Sequence, residues 1–488
     1  MFLGIDVGTS AVKAVLADDA GRIADQASAS LTVQRPGPLQ SEQRPADWWS
    51  ATNRAVLTLD AGGRAAVRAV GLSGQMHGAT LLDEADQPLR PAILWNDGRS
   101  AAECAALEAA VPDSRAITGN LAMPGFTAPK LMWVRAHEPE LFDRIACVLL
   151  PKDYVRLRMT GDKASDLSDS AGTLWLDVAA RAWSPAMLDA CGLTERHMPA
   201  LFEGTAATGT LRTELAEAWG MDPVPVAAGG GDNAAGAAGA GVIARGEAFL
   251  SLGTSGVLFL ADDAYRPNPA QAVHTFCHCL PDRWHQMSVL LSAASCVDWI
   301  ARATGAGDAA ALMAEVEDGD ATPGAAMFLP YLSGERTPHN DPHAQGVFFG
   351  LTHQTGRAEL AQAVLEGVAF AFADGLDALA ATGAPIEAIS VIGGGARSRY
   401  WGRILSAVLN RPLIYRQTAE AGPAYGAARL ARLAVTGQAP GDVCTPPPVR
   451  DVVEPDDRLA DRYRTRRPTF TALYQSLKPH FDETAHDP

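Results

Sequence analysis

The sequence predicts an α/β chain folded as two similar domains that face each other across a nucleotide-binding cleft. Three observations carry this. At 488 residues the chain exceeds the length at which a single hydrophobic core keeps growing, so two domains of roughly 200 to 250 residues are expected. An apolar strand running into Gly-Thr-Ser occurs twice: Phe2-Leu3-Gly4-Ile5-Asp6-Val7-Gly8-Thr9-Ser10 opens the chain, and Ala248-Phe249-Leu250-Ser251-Leu252-Gly253-Thr254-Ser255 echoes it, with Ser251 where Asp6 stood. A repeat of one supersecondary unit implies two related domains, divided as 1–243 and 244–488. Finally, Gly229-Gly230-Gly231-Asp232-Asn233 lies between an apolar run (224–228) and an Ala/Gly-rich run (234–241). That is the pattern of a strand that ends on bare backbone and enters a helix.

The totals narrow the partners. A formal net charge of −16 argues against a nucleic-acid or anionic-membrane surface and for a small-molecule partner. The start has no basic leader, and no uninterrupted apolar run is of membrane-spanning length, so a cytosolic protein is expected. Seven cysteines, an odd number scattered along a long chain, do not resemble a disulfide framework and are expected to be reduced and mostly buried. Cys277-His278-Cys279, with His274 and His285 nearby, lacks the second ligand pair that a zinc spacing requires.

Taken in order, the opening strand and the run 11–16 read as a hairpin. Its turn offers backbone N–H groups, the Thr9 and Ser10 hydroxyls and the Lys13 ammonium to an anion, with Asp6 beside them to hold a metal ion. Read alone, a Gly-Thr-Ser turn also serves without any ligand. Asp18-Asp19-Ala20-Gly21 turns the chain into a third strand, 35–45 is a loop, and Asp47 is expected to cap a helix carrying Trp48 and Trp49. A short strand (69–72) ends at Ser73-Gly74-Gln75-Met76-His77-Gly78. An amide, a thioether and an imidazole bracketed by glycines suit the reading of a polyol, although a buried His77 is the plainer alternative.

Ile93-Leu94-Trp95-Asn96-Asp97-Gly98-Arg99 again ends an apolar strand in polar groups, where open α/β sheets bind ligands. A helix covers 101–110. Another starts at Pro151, with Lys152 and Asp153 as a helix-start pair, and 165–173 reads as a loop. Asp232 is the candidate general base, and a helix cap is its alternative role. In the second half, 284–291 is a strand, Glu335-Arg336 lies in a polar loop as a structural ion pair, and 357–379 is a long helix. A strand over 388–392 enters Gly393-Gly394-Gly395, a loop that lets the backbone approach a nucleotide closely. Gly422 begins a small-residue helix packed on sheet. Past Pro440 an extended segment leads to a terminal helix laid over the surface.

Together, Asp6-Val7-Gly8-Thr9, Ser73 to Gly78, Leu94 to Arg99, Leu150-Pro151-Lys152-Asp153-Tyr154, Gly229 to Asn233, Leu252-Gly253-Thr254-Ser255-Gly256, Ser333-Gly334-Glu335-Arg336-Thr337-Pro338 and Gly393-Gly394-Gly395 resemble the FGGY carbohydrate kinases over about the first 430 residues. The likeness is to the branch that phosphorylates D-xylulose. It implies the two-domain actin-like (ribonuclease-H-like) fold with an interdomain active-site cleft, ATP as phosphate donor, Mg²⁺ as cofactor, and transfer to the 5-hydroxyl of the sugar. It makes Asp232 the catalytic base, and Met76, His77, Asp232 and Asn233 sugar contacts, with Gln75, Trp95 and Asn96 beside them. Asp6 falls near Mg²⁺ and the phosphates, Thr9, Ser10 and Lys13 at the terminal phosphates, and Gly253, Thr254 and Gly393 to Gly395 at the nucleotide. Relatives of this type suggest a homodimer. Two other readings stay open: a sister kinase for ribulose or gluconate, and an actin-like or chaperone-like ATPase driving a conformational cycle.

Overall fold

The computed structural model describes residues 1–317, 323–417 and 422–484. Each half of the chain builds one seven-stranded mixed sheet. In the first, Phe2–Val7 pairs antiparallel with Ala11–Ala17 and parallel with Ala69–Gly74. Ile23–Ser30 closes one edge, and Pro225–Ala227 and Ala207–Thr210 the other. The second sheet repeats the plan: Ala248–Leu252 pairs antiparallel with Gly256–Asp262 and parallel with Ile389–Ile392. Trp284–Leu290 and His274–Cys277 extend one side, and Leu413–Arg416 and Val449–Val453 the other. Both opening strands are all but sealed from solvent on both faces, as a central strand covered by helices must be.

The small-residue helix Gly422–Thr436 comes from the second half of the chain yet packs on the first sheet, where Ala424, Tyr425 and Ala428 join Phe2, Val15 and Ala69 in one apolar cluster. The approach is close enough to need bare backbone. A Cβ on Gly4 would lie 1.9 Å from the Ala424 carbonyl oxygen, one on Gly71 1.9 Å from that of Ala427, and one on Gly426 1.7 Å from that of Ala235. The helix bearing Asp232, Asp232–Ala240, thereby lies directly against it.

Several expectations are corrected. The helix Pro45–Thr58 has Arg44 at its N-cap position with no side-chain cap bond, and Pro45 in its first turn; Asp47 pairs with Arg44 instead of capping. The segment 165–173 is no open loop but a short strand, Ala164–Asp166, and a one-turn helix, Leu167–Ala171, all buried. Its Ser and Asp side chains bond to one another and to buried backbone, a use that polarity alone does not reveal. The terminal helix Asp457–Thr484 does not merely lie over the surface, because Tyr463, Phe470 and Tyr474 are sealed in the second core. All seven cysteines are free and six are buried. No helix among the described residues is long and apolar enough to cross a membrane.

Candidate active site

The first Gly-Thr turn is closed by the Gly8 N–H donating to the Ala11 carbonyl (3.1 Å). Thr9 is held from three sides. Its hydroxyl donates to Gln75 Oε1 (2.8 Å) and accepts from Trp95 Nε1 (3.0 Å), and its carbonyl accepts from Gln43 Nε2 (2.8 Å). Gln75 Nε2 donates in turn to Gln43 Oε1 (2.9 Å), so the Gln75 amide is engaged with the hairpin. Ser10 and Lys13 are exposed, and Lys13 stands across the ladder from Asp6. Asp6 is buried, and among the described residues its Oδ1 has no hydrogen-bond partner. Burial raises its carboxyl to about 6, with the Ser73 hydroxyl and Lys13 pulling the other way.

Asp232 stands at the first helical position after Gly231. Its Oδ1 accepts the Asn233 backbone N–H (2.7 Å) and Nδ2 (2.9 Å); among the described residues Oδ2 has no hydrogen-bond partner. Enclosure by the protein, followed by the negative charge of Asp6, lifts the Asp232 carboxyl to about 7. Two raised carboxylates, Asp232 in part through the charge of Asp6 and Asp6 with an orphaned buried oxygen, form a donor set that a divalent cation would satisfy.

The turn before Asp232 packs on the Met76-His77 loop. A Cβ on Gly231 would sit 3.0 Å from Met76 Cγ and Sδ, and one on Gly172 2.6 Å from His77 Cε1. His77 adopts a left-handed backbone (φ 69°), and its Nδ1 lies 2.6 Å from the Gly172 carbonyl. That contact assigns the proton to Nδ1 and leaves Nε2 an acceptor. Burial, then Lys130 and Arg336, drive the imidazole down to about 3, so it is neutral. Trp95 is 44% exposed, and Asn96 is exposed with no side-chain hydrogen bond among the described residues.

In the second half, the Gly253 and Thr254 carbonyls accept the N–H groups of Ala294 and Ala293 (both 2.9 Å). Gly393 is left-handed (φ 91°), and a Cβ there would meet the Leu252 carbonyl oxygen at 2.7 Å. Around Gly253, Thr254, Gly394 and Gly395 lies a cavity of about 550 Å³ walled by Val297, Met313 and Trp401, apolar and of nucleoside size. A larger opening, about 680 Å³ beside Asp83, Asp143 and Arg196, contains none of these groups.

Sequence reasoning missed two features. Lys152 and Asp153 do stand as a pair in the first turn of the helix Pro151–Thr160, but both are fully buried, with Lys152 also bridging Asp166 and Asp169. Glu335 accepts the N–H groups of Leu291 (3.0 Å) and Arg336 (2.7 Å) and closes no ion pair among the described residues. The Arg336 guanidinium reaches His274 Nε2 (3.4 Å) instead. Only the run of Asp and Ser between 165 and 170 hinted at the first; nothing in the sequence marked the second.

Known proteins resemble this chain in sequence and fold. Residues 1–239 match the model of the N-terminal domain, and residues 248–435 that of the C-terminal domain, of the FGGY family of carbohydrate kinases. The chain is 56% identical to the xylulose kinase of Escherichia coli (strain K12), over 98% of this chain and 99% of that one. A crystal structure of a xylulose kinase from Brucella ovis superposes with a TM-score of 0.96 at 50% identity, covering 98% of this chain and 99% of that one. The xylulose kinase from Rhodospirillum rubrum does so with a TM-score of 0.91 at 28% identity, covering 99% of each. With both halves matched in order and the actin-like core in place, the chain belongs to the FGGY family of carbohydrate kinases.

Proposed function

We propose that this carbohydrate kinase transfers the γ-phosphate of ATP to the 5-hydroxyl of D-xylulose, giving D-xylulose 5-phosphate, in cytoplasmic xylose catabolism that feeds the pentose phosphate pathway. The observation that carries the chemistry is the Asp232 carboxylate. One of its oxygens is fixed by Asn233 and the other is uncommitted, its pKa is raised to about 7, and the turn bearing it packs on the Met76-His77 loop. The choice of sugar rests on the 56% identity with the Escherichia coli xylulose kinase.

Phosphoryl transfer asks the protein mainly for positioning and charge stabilisation. Asp232 accepts the hydroxyl proton as the sugar oxygen attacks the phosphate in line. Met76 walls the sugar carbons, and the half-exposed ring of Trp95, its N–H spent on Thr9, adds an apolar surface, while neutral His77 offers Nε2 to a hydroxyl, with Asn233 and Asn96 adding polar contacts. Gln75 acts through Thr9. Thr9, Ser10 and Lys13 bind the terminal phosphates, and Gly253, Thr254 and Gly393 to Gly395 bind the rest of the nucleotide. Asp6 would hold Mg²⁺, which when bound screens the negative charge of the phosphates. In this reading the halves 1–243 and 244–488 close on the substrates, and the protein forms a homodimer.

A coupled assay of ADP release with D-xylulose, D-ribulose, gluconate, glycerol and no sugar tests it. Turnover should be highest with D-xylulose. A preference for ribulose or gluconate would move the protein to a sister activity, and ADP release indifferent to every sugar would revive an ATPase cycle.

A further inference from the structure

Behind the turn that carries Asp232 lies an ionic cluster for which the proposed chemistry has no direct use. Lys152, Asp153, Arg156, Asp166 and Asp169 are all fully buried, and Lys152 Nζ meets the three carboxylates at 2.6, 2.8 and 3.3 Å. Apolar residues of similar volume often stabilise a core as well as a buried ion cluster does, so stability alone is a weak reason for this one. Two groups tied to it reach the chain on either side of the glycine run. Arg156 Nη2 donates to the carbonyls of Ala227 (2.9 Å) and Ala228 (2.5 Å). Beyond the turn, Ser168 Oγ accepts the Gly231 N–H at 3.1 Å. Ser168 is itself gripped by Asp166 Oδ2, which accepts its backbone N–H (2.7 Å) and its hydroxyl proton. With that proton spent on Asp166, a lone pair of Oγ faces Gly231.

Three glycines in succession have little conformational preference of their own, and Gly229 already lies in the left-handed region (φ 83°). The path of this run is therefore set by what grips it from outside: the Gly229 N–H donates to the Gly204 carbonyl (3.0 Å), Gly230 and Gly231 pair with Ser73 and Gly74 of the neighbouring strand, and Ser168 takes the Gly231 N–H. We propose that Ser168, held by Asp166, is a positioning residue for phosphoryl transfer: it fixes the Gly231 backbone so that the neighbouring Asp232 carboxylate presents Oδ2 to the acceptor hydroxyl. The inference rests on the reading of Asp232 as general base. Reacting groups must be held within a fraction of an ångström, and a short two-residue ladder of glycines holds the base less firmly once the Gly231 N–H loses its side-chain acceptor.

The test is a double-mutant cycle with Asp232→Asn, read as steady-state kinetics on D-xylulose and ATP. Ser168→Ala is expected to lower kcat about tenfold or more while the KM for ATP stays within about twofold. In the Asp232→Asn background the same change should cost no more than about twofold, because a positioner has nothing left to position. An unaltered kcat for Ser168→Ala, or an equal loss in both backgrounds, overturns the proposal. Should Ser168→Ala fail to fold, Ser168→Cys, similar in volume but a weak acceptor, is read through the same cycle with the same criteria. A native protein inert towards every sugar overturns this inference together with the function it rests on. Native turnover with an unaffected Ser168→Ala overturns the clamp alone.

Discussion

The two hairpins, 2–17 and 248–262, share one topology and line it with opposite chemistry. In the first, Asp6 has Lys13 across the antiparallel ladder and Ser73 across the parallel one, a polar row over three strands. In the second, the equivalent Ser251 has Val257 and Ile392 as its neighbours. The hairpin tips differ too: Thr9 is held by side chains of Gln43, Gln75 and Trp95, whereas Gly253 and Thr254 are held through their carbonyls by backbone N–H groups and the Ser295 hydroxyl at the start of the helix Ala294–Ala303. One architecture used twice thus yields a charged wall suited to phosphates and metal and an apolar one suited to a base. The specialisation lies in a few ladder positions and not in the fold.

That contrast can be broken most sharply at Asp232, the proposed general base, which belongs to the polar side alone. Asp232→Asn is expected to lower kcat by about 10² to 10⁴ with ATP affinity retained in a nucleotide titration. Next comes the pair Asp6→Asn and Ser251→Ala, measured side by side: Asp6→Asn should lose about 10² and need more Mg²⁺ for half-maximal rate, while Ser251→Ala stays within about threefold. Equal losses would mean that the halves are not specialised as described. His77→Ala should raise the KM for sugar about tenfold and leave that for ATP unchanged.

Smaller effects concern protons. As the proposed base Asp232 works ionised, so turnover should fall as pH drops through about 7, the value to which its carboxyl is lifted, and a pH–rate profile reads it. Stability should run the opposite way. A carboxyl raised in the folded state from the ordinary 3.8 to about 7 favours the protonated folded form. It therefore withdraws stability as pH climbs from about 4 to 7 and stays unfavourable above. In magnesium-free buffer, Asp232→Asn should raise the unfolding midpoint by about 2–4 °C at pH 8 and by little at pH 4.

Most of the frame was legible in the sequence because it is local: strand, Gly-Thr turn and glycine run each occupy under ten consecutive residues. The side chains that position the site were harder to read, because their partners are far apart in the chain. Gln75 looked like a sugar contact, yet its amide is spent on a hairpin more than sixty residues away. Lys152 read as one of a helix-start pair, which it is, and only its distance to Asp166 and Asp169 shows it to be also the hub of a buried cluster. Glu335 and Arg336 are neighbours in sequence, but the backbone of the loop turns one towards Leu291 and the other towards His274.

The helix Gly422–Thr436 settles onto Gly4 and Gly71 from the far end of the chain. During synthesis, a nascent chain that has released its first 240 residues still lacks the lid for their sheet, and that apolar face stays bare until about two hundred more residues have been made. The opening half thus waits on the closing one, and a gene cut between the two would yield a first fragment prone to clump.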